Sequence, residues 1–203
     1  MANKYYAVKK GLTPGVYDSW EECKAQVEGF SGATYKSFKT MDEAMAYLGD
    51  VEAAKQPDDY LSLPKDEAVA YVDGSFNAET GEFAYGAVIF HNGRQINLSA
   101  KSGDDSLASM RNVAGEIKGS EAAIRYAADN DIKKITIFHD YEGIAKWPTG
   151  EWKTNKEGTA SYKAFYDAHK GILDIRFVKV KGHSGDKYND LADSLAKKAL
   201  GIE

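Results

Sequence analysis

The sequence predicts an α/β chain in two parts: a mixed sheet flanked by helices, preceded by a small α+β domain with a three-stranded sheet. Three observations carry that prediction. From residue 67 onward, short apolar, β-branched runs alternate with longer stretches of helical period. Residues 1–48 carry a complete set of strand and helix signals of their own, including two capping boxes. Between them, residues 49–66 hold Asp50, Glu52, Asp58, Asp59 and Asp66 against Lys55 and Lys65, with Pro57 and Pro64 and no sustained apolar period. That composition reads as a solvated linker, extended by self-repulsion.

In the first domain, Lys4 to Lys9 is a strand and Gly11-Leu12-Thr13-Pro14-Gly15 a turn. Ser19-Trp20-Glu21-Glu22 opens a helix near Trp20, which Gly29 to Gly32 breaks. Ala33 to Phe38 alternates as a strand, and Thr40-Met41-Asp42-Glu43 opens a second helix through Leu48. So small a domain draws much of its core from aromatic rings.

The second domain, 67–203, starts with three strands: Ala68–Asp73, Phe83–His91 and Arg94–Ala100. Asn92-Gly93 between the last two is a strong hairpin signal. A long helix covers Asn112 to Asn130, and Ile135–His139 is a buried strand ending at Asp140. A short helix runs through Trp147, followed by an irregular stretch from Pro148 to Gly158 and a helix over Ser161–His169. Leu173–Val180 is a strand, and Lys187–Leu200 closes the chain as a helix with Ala and Leu on one face.

Composition narrows the function classes. A net charge of −5 argues against holding nucleic acid by bulk charge, while leaving room for a local basic patch. Cys23 is the sole cysteine, so neither an intrachain disulfide nor a cysteine-rich zinc site can form. No run approaches membrane-spanning length and no leader-like apolar segment opens the chain. The expectation is a soluble, cytoplasmic protein without membrane contact.

The chemistry is read from four carboxylates. Asp73 and Asp140 each end a strand; if those strands are parallel neighbours, the two lie roughly 5 Å apart. Glu116 sits in the first turns of the long helix, beside Gly115, which allows close approach to the sheet. Asp193 lies early in the closing helix, on one face with Asn189. Four like charges in one place need cations, and oxygen-only ligands favour Mg²⁺ or Mn²⁺. Two such ions about 4 Å apart suit in-line phosphoryl transfer. His183, in Gly182-His183-Ser184-Gly185 after the last strand, is placed to pass protons near neutral pH or to help product leave.

Together, Tyr71-Val72-Asp73-Gly74-Ser75, Arg111-Asn112-Val113-Ala114-Gly115-Glu116, His139-Asp140 and Gly182-His183-Ser184-Gly185 with Asn189, Ala192 and Asp193 resemble the signature set of type 1 ribonuclease H. The resemblance implies a ribonuclease H-like sheet and an endonuclease that cuts the RNA strand of RNA–DNA hybrids with two Mg²⁺, leaving 5′-phosphate and 3′-hydroxyl ends. It implies Asp73, Glu116, Asp140 and Asp193 as metal ligands and His183 as the loop histidine. Asn112 is implied to meet a 2′-hydroxyl, with Ser75 and Asn77 lining the groove. Residues 4–48 resemble the hybrid-binding domain of the same enzymes through Lys4-Tyr5-Tyr6-Ala7-Val8-Lys9-Lys10-Gly11, Gly15-Val16-Tyr17, Trp20 with Cys23, and Tyr35-Lys36-Ser37-Phe38. Trp20 and Tyr35 would stack on sugar or base and Lys36 reach phosphate. The expected partner is an RNA–DNA hybrid, met by a monomer.

Three departures matter. Ser37 stands where some relatives carry a second lysine. Arg111 stands where several have Thr, and its fork can take a DNA phosphate. Between Trp147 and Trp152 only four residues intervene, so the long basic protrusion of some members is missing. Rival readings fit less well, a reverse-transcriptase fragment among them. A sugar-kinase-like ATPase needs a second Asp-x-Gly phosphate loop and a longer chain. A binding-only module is disfavoured by the presence of all four acids.

Overall fold

The computed structural model describes residues 4–12, 15–17, 19–40, 43–44, 47, 57–102, 107, 109–180 and 186–202. The chain divides into two units, Met1–Gln56 and Pro57–Glu203.

The first unit is a three-stranded antiparallel sheet of β1 (Tyr5–Lys10), β2 (Gly15–Tyr17) and β3 (Thr34–Phe38) in the order β2-β1-β3. Helix α1 (Trp20–Val27) starts where the first capping box predicts, with the Ser19 hydroxyl accepting from the Glu22 N–H. At the second box the Thr40 hydroxyl accepts from the Glu43 N–H, and the Glu43 carboxylate accepts from the Lys39 N–H. Of the helix expected there, only Glu43, Ala44 and Tyr47 fall among the described residues. Ala7, Val8, Cys23 and Ala44 are fully buried.

The second unit is a five-stranded mixed sheet, β4 (Glu67–Phe76), β5 (Phe83–His91), β6 (Arg94–Ser102), β7 (Lys134–His139) and β8 (Asp174–Lys179), in the order β6-β5-β4-β7-β8. Strands β4, β5 and β6 form an antiparallel meander; β7 and β8 add in parallel through helical crossovers. Asn92 and Gly93 both take positive φ, the form a two-residue hairpin needs. The helices are α2 (Asn112–Asp129), α3 (Gly143–Thr149), α4 (Glu157–His169) and α5 (Lys187–Leu200).

Alternate residues of β4 serve two cores. Ala68, Ala70 and Val72 pack with Ala123, Ile124 and Ala127 of α2. Val69 and Tyr71 pack on the other face with Tyr188 and Ala192 of α5. Among the described residues, no helix is long and apolar enough to cross a membrane.

Four boundaries differ from the sequence reading. Strand β4 does not end at Asp73: its parallel pairing with β7 stops at Tyr71–Phe138, but antiparallel pairing with β5 continues to Phe76–Phe83. Pro148 does not end the short helix but lies within α3. The carbonyl of Ile144, which a residue-148 N–H would otherwise meet, accepts the Tyr162 hydroxyl at 3.0 Å instead. Helix α4 begins at Glu157, with the Thr159 hydroxyl accepting from the Lys156 N–H. Of the expected linker over 49–66, residues 49–56 lie outside the described residues, but Pro57–Ser62 forms a 3₁₀ helix belonging to the second unit. Tyr60 and Leu63 are buried there, so the apolar residues within the acidic stretch outweigh its charge.

Candidate active site

The site grows out of one register. Tyr71 on β4 and Phe138 on β7 are paired, and their rings stack with centroids 4.6 Å apart. Two residues further along the chain come Asp73, still in β4, and Asp140, just past the end of β7, both beyond the last pair of the parallel ladder. Asp73 remains held in β4 by its pairing with Gly86 of β5.

Glu116 reaches this pair from α2 because the helix lies directly on the strand backbone. A β-carbon on Gly74 would fall 2.1 Å from the Asn112 carbonyl oxygen and 2.4 Å from the Glu116 nitrogen. Asp193 is brought in from the opposite face by the same device. A β-carbon on Gly86 would fall 1.9 Å from the carbonyl oxygen of Ala192, the residue before Asp193.

Carboxylate oxygens of Asp73, Glu116 and Asp140 lie within 4.8 Å of one another. Asp193 stands outside that group yet adds its charge to Asp73, and its Oδ2 accepts from the Lys197 Nζ at 2.7 Å. Burial, then the charges of Asp140 and Asp193, push the Asp73 carboxyl up to about 7, against the pull of the Gly74 N–H. Burial, then Asp140 and Asp73, push Glu116 up to about 9. Glu116 is 1% exposed, and its Oε2 has no hydrogen-bond partner among the described residues. An oxygen-only cluster, crowded, desolvated and holding an unpartnered carboxylate oxygen, fits a hard divalent cation. These three side chains can hold a metal ion.

The other candidates are distributed as follows. Asn112 is the first residue of α2, exposed, one helical turn before Glu116. Arg111 precedes it, exposed, at φ 54° and ψ −128°. Ser75 is buried on the Asp73 face of β4. Asn77 caps a turn, its Oδ1 accepting from the N–H groups of Glu79 and Thr80. His183 lies outside the described residues. In the first unit, Trp20 and Tyr35 are 39% and 45% exposed with rings 5.7 Å apart, a surface pair rather than core. Lys36 Nζ lies 5.5 Å from the Phe38 ring centroid.

Sequence reasoning missed several neighbours. Gly86 gives no motif signal, because its role depends on a helix packed across it. Lys197 is visible only as an i, i+4 partner of Asp193. A cavity of about 360 Å³, lined by Val113, Tyr141, Trp147, Lys153, Lys156 and Thr159, opens beside the start of α2. The pairing of Trp147 and Trp152, 5.9 Å apart, was legible only as spacing.

Comparison with known proteins agrees with this geometry. Residues 65–201 match the family model described as RNase H, and residues 4–48 match that of the Ribonuclease H1 N-terminal domain. The chain is similar to Ribonuclease H1 of Rattus norvegicus, 27% identical across 95% of this chain and 88% of that protein. It is also similar to Ribonuclease H1 of Homo sapiens, 26% identical over the same shares. The fold is shared with RNase H1 of Halobacterium salinarum NRC-1, at TM-score 0.56 and 24% identity over 68% of this chain and 99% of that one. It is shared too with LC11-RNase H1, solved in complex with an RNA/DNA hybrid, at TM-score 0.52 and 19% identity over 66% and 99%. Since the family pattern runs through every strand and helix that carries the carboxylates, the chain belongs to the ribonuclease H family and is a ribonuclease H enzyme.

Proposed function

We propose that this enzyme cuts the RNA strand of RNA–DNA hybrids endonucleolytically, using two divalent cations, Mg²⁺ in the first instance with Mn²⁺ able to substitute. The products are a 5′-phosphate and a 3′-hydroxyl. The observation that carries the reading is the convergence of Asp73, Glu116 and Asp140 within 4.8 Å.

Bound cations would supply the activation of water and the neutralisation of the leaving oxygen. Asp73, Glu116, Asp140 and Asp193 would hold them. In their absence Glu116 keeps a proton at neutral pH, as its raised pKa requires, and Asp193 is neutralised by Lys197. His183 passes protons to and from the site. Asn112 hydrogen-bonds a 2′-hydroxyl, which distinguishes the RNA strand from DNA, and Ser75 lines the groove beside Asp73. Arg111 grips a phosphate of the DNA strand with its fork.

The first unit holds the hybrid as a monomeric accessory. Trp20 and Tyr35 present exposed rings for stacking, and Lys36 reaches phosphate. Residues 4–48 hold six lysines and six acids, so affinity rests on this patch and not on net charge. The domains are proposed as 1–48 for hybrid binding and, with the boundary moved to take in the 3₁₀ helix, 57–203 for catalysis.

The test is cleavage of a labelled hybrid in Mg²⁺ by the parent chain and by Asp73→Asn, beside duplex RNA and duplex DNA. Hybrid-only cleavage that the substitution abolishes, with end groups as stated, supports the reading. Tight hybrid binding without cleavage in Mg²⁺ or Mn²⁺ overturns it in favour of a binding module.

A further inference from the structure

The 3₁₀ helix Pro57–Ser62 sits in a stretch whose charge reads as linker, yet its Tyr60 is 1% exposed. The Tyr60 and Tyr71 hydroxyls are 2.9 Å apart. The Tyr60 ring centroid lies 5.1 Å from Phe90, 6.1 Å from Tyr71, 6.3 Å from Tyr188 and 6.4 Å from Phe138.

Three of these four neighbours have a common feature. Tyr71 is two residues before Asp73 on β4. Phe138 is two before Asp140, at the end of β7. Tyr188 is in the first turn of α5, five residues before Asp193. One ring from outside the sheet therefore touches all three elements that deliver Asp73, Asp140 and Asp193. The segment after it is fastened as well. His91 Nε2 donates to the Lys65 carbonyl at 2.9 Å while its Nδ1 accepts the Tyr126 hydroxyl at 3.1 Å. The Asp66 carbonyl accepts the N–H groups of Lys133 and Lys134.

We propose that Tyr60 is a positioning residue for the carboxylate site, acting through Tyr188 on the placement of α5 and its Asp193. The proposal rests on the metal-ligand role given to Asp193 above. Asp73 is held by its pairing with Gly86, and Asp140 directly follows His139, which pairs with Lys179 of β8. Asp193 has no such ladder. Its helix packs on the sheet through the Ala192 backbone over Gly86, through Leu191 and Leu195, and at its first turn through Tyr188, whose ring lies 4.7 Å from Phe90, 5.6 Å from Tyr71 and 6.3 Å from Tyr60. Tyr60 is the ring against Tyr188 that comes from outside the sheet, so removing it takes away one wall of that pocket, loosens the first turn of α5 and lets Asp193 shift relative to Asp73.

The experiment compares the full chain with Tyr60→Ala, Tyr60→Phe and Leu61→Ala, at a temperature where circular dichroism shows each folded. Leu61 is 52% exposed on the same 3₁₀ helix and serves as the neutral control. Three quantities are read: Mg²⁺ affinity by calorimetry, hydrogen exchange across residues 188–193, and kcat and KM on a hybrid. Tyr60→Ala should weaken Mg²⁺ binding by about tenfold, the size typical of a lost supporting contact. It should speed exchange in the first turn of α5 and lower kcat at limiting Mg²⁺ while leaving KM unchanged. Tyr60→Phe keeps the ring and should restore Mg²⁺ affinity, losing only thermal stability. If Tyr60→Ala does not fold, Tyr60→Leu carries the same comparison. A lowered Tm with parental Mg²⁺ affinity and parental exchange in α5 would overturn the proposal and leave Tyr60 as core filling. A parent chain that binds Mg²⁺ but does not cleave hybrid would sink the proposed function, while affinity and exchange would still decide the role of Tyr60.

Discussion

Gly74 of β4 and Gly115 of α2 meet backbone to backbone: a β-carbon on Gly115 would lie 2.7 Å from the Gly74 Cα and 2.2 Å from the Ala84 carbonyl oxygen. Neither neighbour is a flexible side-chain tip, so the helix itself must retreat if any side chain is added. Glu116 is the next residue and retreats with it. Gly115→Ala is expected to cost about 1–3 kcal/mol as over-packing against backbone, and to lower kcat far more than it raises KM. Gly86→Ala should do the same through Ala192 and Asp193. Thermal unfolding together with hybrid-cleavage kinetics checks both. Parental kcat in a folded Gly115→Ala protein would show that the close approach is not what places Glu116.

The carboxylates make the metal-free enzyme sensitive to alkali. Burial and mutual repulsion raise Asp73 to about 7 and Glu116 to about 9, above their unfolded values. The folded state then binds more protons than the unfolded one, so stability falls as pH rises. The loss runs from about pH 4 to about 7 for Asp73 and on to about 9 for Glu116. Asp73→Asn removes one repelling charge and is expected to raise the metal-free Tm at pH 8 while leaving it unchanged at pH 4. Mg²⁺ should raise the Tm of the parent more than that of the variant. Calorimetry with and without chelator at the two pH values checks this; an Asp73→Asn Tm below the parent's at pH 8 would contradict it.

How much of this was legible beforehand depends on how local each signal is. The hairpin at Asn92-Gly93 and the capping boxes at Ser19 and Thr40 are written in two to four residues, and all appear where the chain predicts. Asp73, Glu116 and Asp140 could be nominated because each follows or opens an element whose period is readable, and the structure brings them together. Tyr60 could not, since its burial depends on rings from β4, β5, β7 and α5 at once. Pro148 departs from its expected place for a related reason: the carbonyl it orphans is satisfied by Tyr162, fourteen residues further on. Local rules describe a proline's cost but not a distant hydroxyl that offsets it.

The exposed ring pair of the first unit gives a separable prediction. Trp20 and Tyr35 are surface residues, so Trp20→Ala should leave folding intact while weakening hybrid binding by about 1–3 kcal/mol, the worth of a stacked base. Cleavage should show a raised KM with kcat preserved. Lys36→Ala should reduce the slope of log affinity against log salt by about 0.9, one phosphate contact. Binding titrations over a range of salt concentrations measure both. A parental slope in Lys36→Ala would place its ammonium group off the phosphates, serving only the Phe38 and Tyr47 rings it lies over.

Arg111 offers the sharpest contrast between stability and function. At φ 54° and ψ −128° it occupies a backbone region that suits glycine, immediately before the first turn of α2. An arginine there costs on the order of 1–3 kcal/mol, and no side-chain cap bond offsets it. Arg111→Gly is therefore expected to raise the Tm. If the guanidinium grips a phosphate, the same change should raise KM for the hybrid and flatten its salt dependence, with kcat little altered. Arg111→Lys keeps the strain and the charge but loses the two-pronged geometry, so it should leave the Tm unchanged and recover only part of the KM. Stability and affinity thus move in opposite directions in one variant and separate in the other. A more stable Arg111→Gly enzyme with parental KM would mean that Arg111 faces solvent and the phosphate is held elsewhere.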